Sequence, residues 1–397
     1  MKFQARYLQR YRSNLFNFLI IFFLVSCGGG GGGSSPIPTI TLSVSQSSVP
    51  LDSEVTINWS SQNSSSCQAS GSWSGAKSTS GSELVTITLI GNNNFGISCS
   101  GDGGSQSSNV VVEGYRQLLG VTVDGYIRGA EIFIDENSNF IHDTSEYNAT
   151  SENNGEFKIR FNDGNLISYG GIDLDSGILL DNLMLVHSLQ GFTDFKVISP
   201  LTTVSAFFLD PTLVKNSLGI DSSINIFTFD PVANKGDGSI NDYVYEKNSQ
   251  LTVIALSLSK LINSIRIDDQ EDPVAISTRD AFNLIANEVE SLFLQNDQKV
   301  DIESKLFLDS ILYKAYEYVN VTPDITALRN SSILLSSLLP VIEVKDEDYL
   351  STATFSFAID TFQNDFQDAI DGSIQDSIVD IYSNNILFYI GNDQSCL

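Results

Sequence analysis

The 397-residue chain is acidic, with 48 Asp and Glu against 21 Lys and Arg, a formal charge of -27, two histidines and four cysteines. Such a surface repels phosphate backbones, which excludes nucleic acid as a partner, and it attracts divalent cations. With 42% hydrophobic residues the chain can fill more than one core, and its length points to two or three domains.

Residues 1–26 carry Lys2, Arg6, Arg10 and Arg12 and then the apolar run Leu15–Val25, the layout of an export signal. That run is shorter than the roughly 20 residues a membrane span needs. It ends in Leu24-Val25-Ser26-Cys27, which resembles the lipobox of bacterial lipoproteins. The resemblance implies cleavage before Cys27 and acylation of that cysteine. Because Gly28 follows where an aspartate would favour retention in the inner membrane, it also implies the outer membrane. Each buried methylene of an acyl chain adds about 0.8 kcal/mol, so several chains anchor firmly. Gly28–Gly33, Ser34, Ser35 and Pro36 make residues 27–38 a flexible tether. Without the four leader cations the remainder carries about -31, a charge that also keeps an exported protein soluble. With Cys27 given to lipid by the resemblance, Cys67 and Cys99 are expected to pair in an oxidising compartment. Cys396 is left over, free or cross-linked to another chain.

From residue 39 to 113, ITLSV, VTINW, LVTITL, FGISC and NVVVE alternate apolar and polar residues between Ser, Asn and Gly clusters, as in an antiparallel sandwich with turns every 8 to about 12 residues. Trp59, Trp73, Cys67 and Cys99 within VTINWSSQNSSSCQASGSWSG and FGISCSGDGG make the segment resemble bacterial immunoglobulin-like modules. Both tryptophans are expected in the core beside the disulfide, the alternative being exposed platforms for carbohydrate.

Residues 114–200 form a second strand-rich unit containing GVTVDGYI, GAEIFID and GEFKIRF. Ala130, Ile132 and Ile134 share one face of their strand, as do Phe157, Ile159 and Phe161. The segment GVTVDGYIRGAEIFID with NNGEFKIRF is similar to the transthyretin-like, carboxypeptidase-regulatory-like sandwiches and to repeated calcium-binding sandwiches of bacterial surface proteins. These modules brace or present other domains, so the resemblance implies no catalysis. Gly125, Gly129 and Gly155 are expected to serve turns.

From residue 201 to 397 the apolar period changes to three and four residues, in NSQLTVIALSLSKLINSI, TRDAFNLIANEVESLFL, DIESKLFLDSILYKAYEYV and ITALRNSSILLSSLL. This predicts an all-α helical domain. Asp301 is expected just before one helix, and Ser277 or Thr278 to cap another. ISPLTT followed by FDPVA resembles a segment of large exported proteins with no assigned chemistry. The predicted fold class is thus multidomain, two antiparallel β-sandwiches, immunoglobulin-like and then transthyretin-like, followed by helices.

One stretch has a spacing that specific chemistry requires. Calcium takes about six to eight oxygen ligands, supplied in an EF-hand loop from positions 1, 3, 5, 7, 9 and 12 with glycine at the sharp bend at 6. Counting from Asp135 gives Asp135, Asn137, Asn139, the main-chain carbonyl of Ile141, Asp143 and Glu146. Position 6 is Phe140, which costs on the order of 1 to 2 kcal/mol if it must be left-handed. The loop reads as a weak calcium site, or as an Asx-rich hairpin whose side chains satisfy their own backbone. His142 stands at a non-ligand position. Asp173, Asp175 and Asp181 in GGIDLDSGILLD form a lesser cation candidate or a turn, and Asn234–Asp242 reads as a solvated loop.

No GxSxG elbow, HExxH, P-loop or GxGxxG motif in a strand-to-helix context is present, and His187 lies in the apolar run LMLVHSLQGF, as a core histidine would. The expected function is a non-catalytic, lipid-anchored cell-surface binding or adhesion protein with a calcium-stabilised sandwich and an unidentified protein or glycan ligand. Behind it stand a periplasm-facing assembly lipoprotein that docks another envelope protein, and a glycan-processing enzyme with two facing carboxylates.

Overall fold

The computed structural model describes residues 35–189, 195–236, 238–265, 273–342 and 352–392. The leader-like segment, the expected lipidation site Cys27, the glycine tract and Cys396 lie outside the described residues. The chain divides into two compact units. Of the described residues, one takes 35–43 with Asn58–Ser82 and Phe95–Val110, and the other takes Val44–Ile57, Glu83–Asn94 and those from Val111 onward. Strands come first and helices follow.

The first strands are β1 (Thr39–Val44), β2 (Ser48–Pro50), β3 (Glu54–Gln62), β4 (Ser66–Gly71), β5 (Gly75–Lys77), β6 (Ser80–Thr86), β7 (Gly91–Gly101) and β8 (Gly104–Tyr115). They pair in the orders β1-β3-β6 and β2-β8-β7-β4-β5. The alternation read from the sequence is realised: Val55, Ile57 and Trp59 of β3 are buried, as are Phe95, Ile97 and Cys99 of β7. In the first unit Cys67 and Cys99 stand directly opposite each other in the antiparallel β4–β7 ladder and are bonded. The disulfide closes a loop with a sequence separation of 32, worth roughly 3 to 4 kcal/mol in the loop-entropy account. Trp59 and Trp73 meet edge to face at 5.3 Å, and Trp73 meets Phe95 the same way. Their indole N–H groups donate to the carbonyls of Ser78 and Gly96 at 2.9 and 2.8 Å. With 7% and 6% exposure, both tryptophans are core residues, so the carbohydrate-platform alternative falls.

The second unit continues with β9 (Gln117–Thr122), β10 (Ile127–Arg128), β11 (Glu131–Asp135), β12 (Asn148–Thr150), β13 (Glu156–Arg160), β14 (Asn165–Tyr169), β15 (Ile172–Asp173), β16 (Met184–Ser188) and β17 (Phe195–Ile198). The sheets are β12-β11-β14-β16, β13-β9-β17 and the short pair β10-β15. Purely antiparallel pairing was expected, yet β17 runs parallel to β9, and β2 parallel to β8. Both pairs join strands far apart in sequence, a choice that local patterning leaves open. Ala130, Ile132 and Ile134 do face one core. The opposite face of the same sheet is buried as well, where Phe133, Ile167, Met184 and Val186 pack on Phe140 and Phe207. A strand buried on both faces loses its polar alternation, which hid β14 and β16 from the pattern.

The helices are α1 (Pro200–Phe207), α2 (Val214–Leu218), α3 (Ser239–Ile265), α4 (Pro273–Asn296), α5 (Lys305–Tyr318), α6 (Ile325–Leu338), α7 (Thr352–Ile370) and α8 (Asp376–Asn392). Two predicted caps shift. α4 begins at Pro273, so Thr278 is a buried helix residue, and α5 is capped by Ser304 rather than Asp301, whose carboxylate accepts from Glu303 N. The ISPLTT segment is a joint. Ser199 caps α1, Pro200 takes the first helical position, and Thr202 closes the capping box. Thr202 Oγ1 also donates to Val186 O, Thr203 Oγ1 accepts from Val186 N, and Leu201 N donates to Asn248 Oδ1 on α3. The strand β16, helix α1 and helix α3 are thereby locked together. The core accordingly does not stop at residue 200, because one hydrophobic cluster runs from Leu118, Ile132 and Leu166 to Leu258, Phe282, Leu312 and Phe366. Among the described residues no helix is long and apolar enough to cross a membrane.

Candidate functional site

The loop between β11 and β12 gathers the residues that the spacing singled out. Asp135 ends β11 fully buried, and its carboxylate accepts from Asn139 N and Phe140 N, both at 3.1 Å. Glu146, at the other end, accepts from Glu136 N at 2.9 Å and Asp143 N at 3.0 Å. Each end carboxylate is therefore held by main-chain donors, and the loop curls around the space between them. Asn137 and Asn139 turn their amide nitrogens on Asp143 Oδ2 at 2.7 and 3.0 Å. Their carbonyl oxygens accept from Asn139 N and Ile141 N.

Phe140 answers the question posed by position 6. Its φ is 62°, and Ser138 beside it is at 61°, so the chain bends where a glycine usually stands. The strain of a bulky left-handed residue, on the order of 1 to 2 kcal/mol, is offset by packing. The Phe140 ring stacks on Phe207 of α1 at 5.9 Å, and the Arg279 guanidinium of α4 lies over it at 5.3 Å. His142 is drawn aside, with Nδ1 2.8 Å from Glu131 Oε1 and its ring over Phe133.

Chemically, the loop offers five oxygen-bearing side chains, with two amide groups placed where a cation would neutralise Asp143. Among the described residues no group of three or more His, Cys, Asp or Glu is arranged to grip a metal. A cation here would draw on the asparagine carbonyls and the Ile141 carbonyl in addition to Asp135, Asp143 and Glu146. The donor chemistry fits calcium, which prefers oxygen and tolerates irregular geometry.

The other candidates sort differently. Asp181 is exposed. Asp173 is buried and holds its own turn by accepting from Asp175 N and from Ser176 N and Oγ. Asp175 accepts from Tyr245 Oη at 2.8 Å and lies 3.5 Å from Lys235 Nζ. These two aspartates are joined by Asp124, which the sequence reading did not single out. Burial, then the charges of Asp173 and Asp175, lift the Asp124 carboxyl well above the usual carboxylate range. Burial, then the charge and hydrogen bond of Asp230, push the nearby Tyr126 hydroxyl up to about 12. Only the Asp-Gly turn signal in VTVDGYI marks Asp124 in the sequence.

The two imidazoles have different surroundings. His187 is fully enclosed, its Nδ1 lies 2.7 Å from Val197 O, and burial pulls it down to about 4. The carbonyl can only accept, so Nδ1 carries the proton of the neutral ring. No known protein family matches the sequence, and no curated protein does.

Proposed function

We propose that the chain is an exported, lipid-anchored binding or adhesion protein of the bacterial outer membrane, non-catalytic, whose second β region is stiffened by calcium. The observation that carries the reading is the Asp135–Glu146 loop, with both end carboxylates fixed by main-chain N–H groups and Phe140 left-handed at the bend. The Cys67–Cys99 bridge supports an oxidising compartment. The Leu24-Val25-Ser26-Cys27 segment supports the anchor. In this reading the first sandwich is immunoglobulin-like and the second transthyretin-like. Bound calcium would neutralise Asp143 in place of the asparagine amides and hold the loop closed, so that a surface is presented at a fixed angle. Both histidines already have structural partners, which favours binding over catalysis.

Protease shaving of intact cells, followed with an antibody against the helical region, tests the placement. Loss of the chain while periplasmic controls survive supports surface exposure. Protection until the outer membrane is broken refutes adhesion and favours the periplasm-facing assembly role.

A further inference from the structure

A buried polar cluster lies under the turn that follows β9. Asp124 is 8% exposed, and its Oδ1 has no hydrogen-bond partner. Around it stand two more carboxylates. The side chains of Asp173 and Asp175 press against the main chain of Gly125, so closely that a Cβ there would lie 2.1 Å from Asp173 Oδ1 and 2.8 Å from Asp175 Cβ. From α3 come Thr252, in hydrogen-bond contact with Asp124, and Tyr245, which donates to Asp175. From the loop before α3, Lys235 reaches Asp175 and the Tyr245 hydroxyl, and Asp230 accepts from Tyr126.

The charges here are unevenly matched. Asp175 has Lys235 and Tyr245, and Asp173 has two main-chain N–H groups and Ser176. Asp124 has neither a cation nor a main-chain donor. Its contact is the Thr252 hydroxyl, whose single proton is divided between Asp124 and Asn248 O at 3.2 Å, so it relieves the carboxyl only in part. A buried ionised carboxylate beside two others would be costly.

We propose that Asp124 is a proton-binding site, a neutral carboxylic acid at neutral pH that fastens the Val123–Tyr126 turn to helix α3 and loosens that joint as the medium becomes alkaline. The direction follows from linkage. A carboxyl that holds its proton more tightly in the fold than in the unfolded chain gives stability that is fully present below the unfolded value near 3.9. That stability is lost as pH rises through the folded value. The joint ties the strands to the longest described helix, so its tightness bears on the packing of the second unit as a whole.

The test compares the full mature chain with Asp124→Asn, an isosteric variant that cannot ionise, both in a chelator. Thermal melting is followed from pH 4 to pH 9. Subtracting the two curves cancels His187 and every other group the chains share. The melting temperature of the variant should rise relative to wild type as pH increases, by a few degrees (~2–4 °C for a 1 kcal/mol difference). The infrared carbonyl band of a neutral carboxylic acid should be present in wild type at pH 7 and missing from the variant. Asp173→Asn, which removes the nearest facing charge, should shift that band's titration to lower pH. Parallel melting curves, or an infrared band that the variant retains, would overturn the proposal. So would a wild-type melting temperature at pH 8 that magnesium or calcium raises and Asp124→Asn does not, because the occupant would then be a cation and not a proton.

Discussion

Replacing Asp135 by alanine removes the residue on which the loop turns. Its carboxylate accepts two main-chain hydrogen bonds, from Asn139 and Phe140, in a fully buried position. Hydrogen bonds to a charged acceptor are worth about 1.5 to 3 kcal/mol each. Taking the lower figure for each, because water can enter the opened loop, the variant should lose about 3 kcal/mol even without metal. Calcium adds a second effect. If the loop binds at about 0.1 to 1 mM, as exported modules do, about 10 mM calcium stabilises wild type by roughly 1.4 to 2.7 kcal/mol. The variant gains little. Urea unfolding of both proteins, in chelator and in calcium, separates the two contributions. The gap should be about 3 kcal/mol in chelator and about 4 to 6 kcal/mol in calcium. Superimposable wild-type curves in the two media would remove the metal from the account. A gap below about 1 kcal/mol in chelator would refute the claim that Asp135 anchors the main chain.

Reducing the Cys67–Cys99 bond, or replacing both cysteines by alanine, should cost roughly 3 to 4 kcal/mol in urea unfolding; tryptophan fluorescence follows it, because Trp73 packs on Phe95 of β7, the strand that carries Cys99. Gly81→Ala should lower stability by about 1 to 3 kcal/mol and shift the Trp59 emission, since the new Cβ, at an exposed position, would lie 2.8 Å from Cζ2 of the buried Trp59 ring; unchanged emission and melting would show that the ring is not held there. Thr202→Val should cost about 1 to 2 kcal/mol by opening the α1 capping box and freeing Val186 O; hydrogen exchange at α1 unchanged from wild type would count against the joint. His187, held near 4 by burial, is the mirror image of Asp124. Its contribution is fully present above the unfolded value of about 6.5 and is lost as pH falls toward 4, by roughly 3 kcal/mol at most. His187→Gln should therefore flatten the acid limb of the melting curve between those values, and an equally steep limb would place the acid sensitivity elsewhere.

How far the sequence carried the description depended on how local the physics was. Trp59 was readable because alternation within β3 fixes which side chains turn inward, while Trp73 followed from the resemblance to immunoglobulin-like modules and the Cys67–Cys99 pair from the compartment once Cys27 was given to lipid. The helices α3 to α6 were readable from their period. The loop ligands were readable because their spacing is a property of a dozen consecutive residues. Phe140 shows the limit: the sequence marks it as the wrong residue for the bend, and Phe207, which stabilises it there, lies 67 positions further on.

What the sequence determined by itself was the order of strand and helix, the acidity, the leader-like segment and the candidate loop, all of which rest on composition or short-range period. Tertiary structure alone decided the rest. It buried both faces of β11, β14 and β16, erasing the alternation that would have announced two of them. It turned ISPLTT from an uninterpreted string into the joint between β16, α1 and α3. It also brought Asp124 to Asp173 and Asp175 and set Thr252 of α3 against it. A carboxylate's charge state depends on what encloses it, and that enclosure is built from segments separated by about 50 to 130 residues, whose meeting no local pattern encodes.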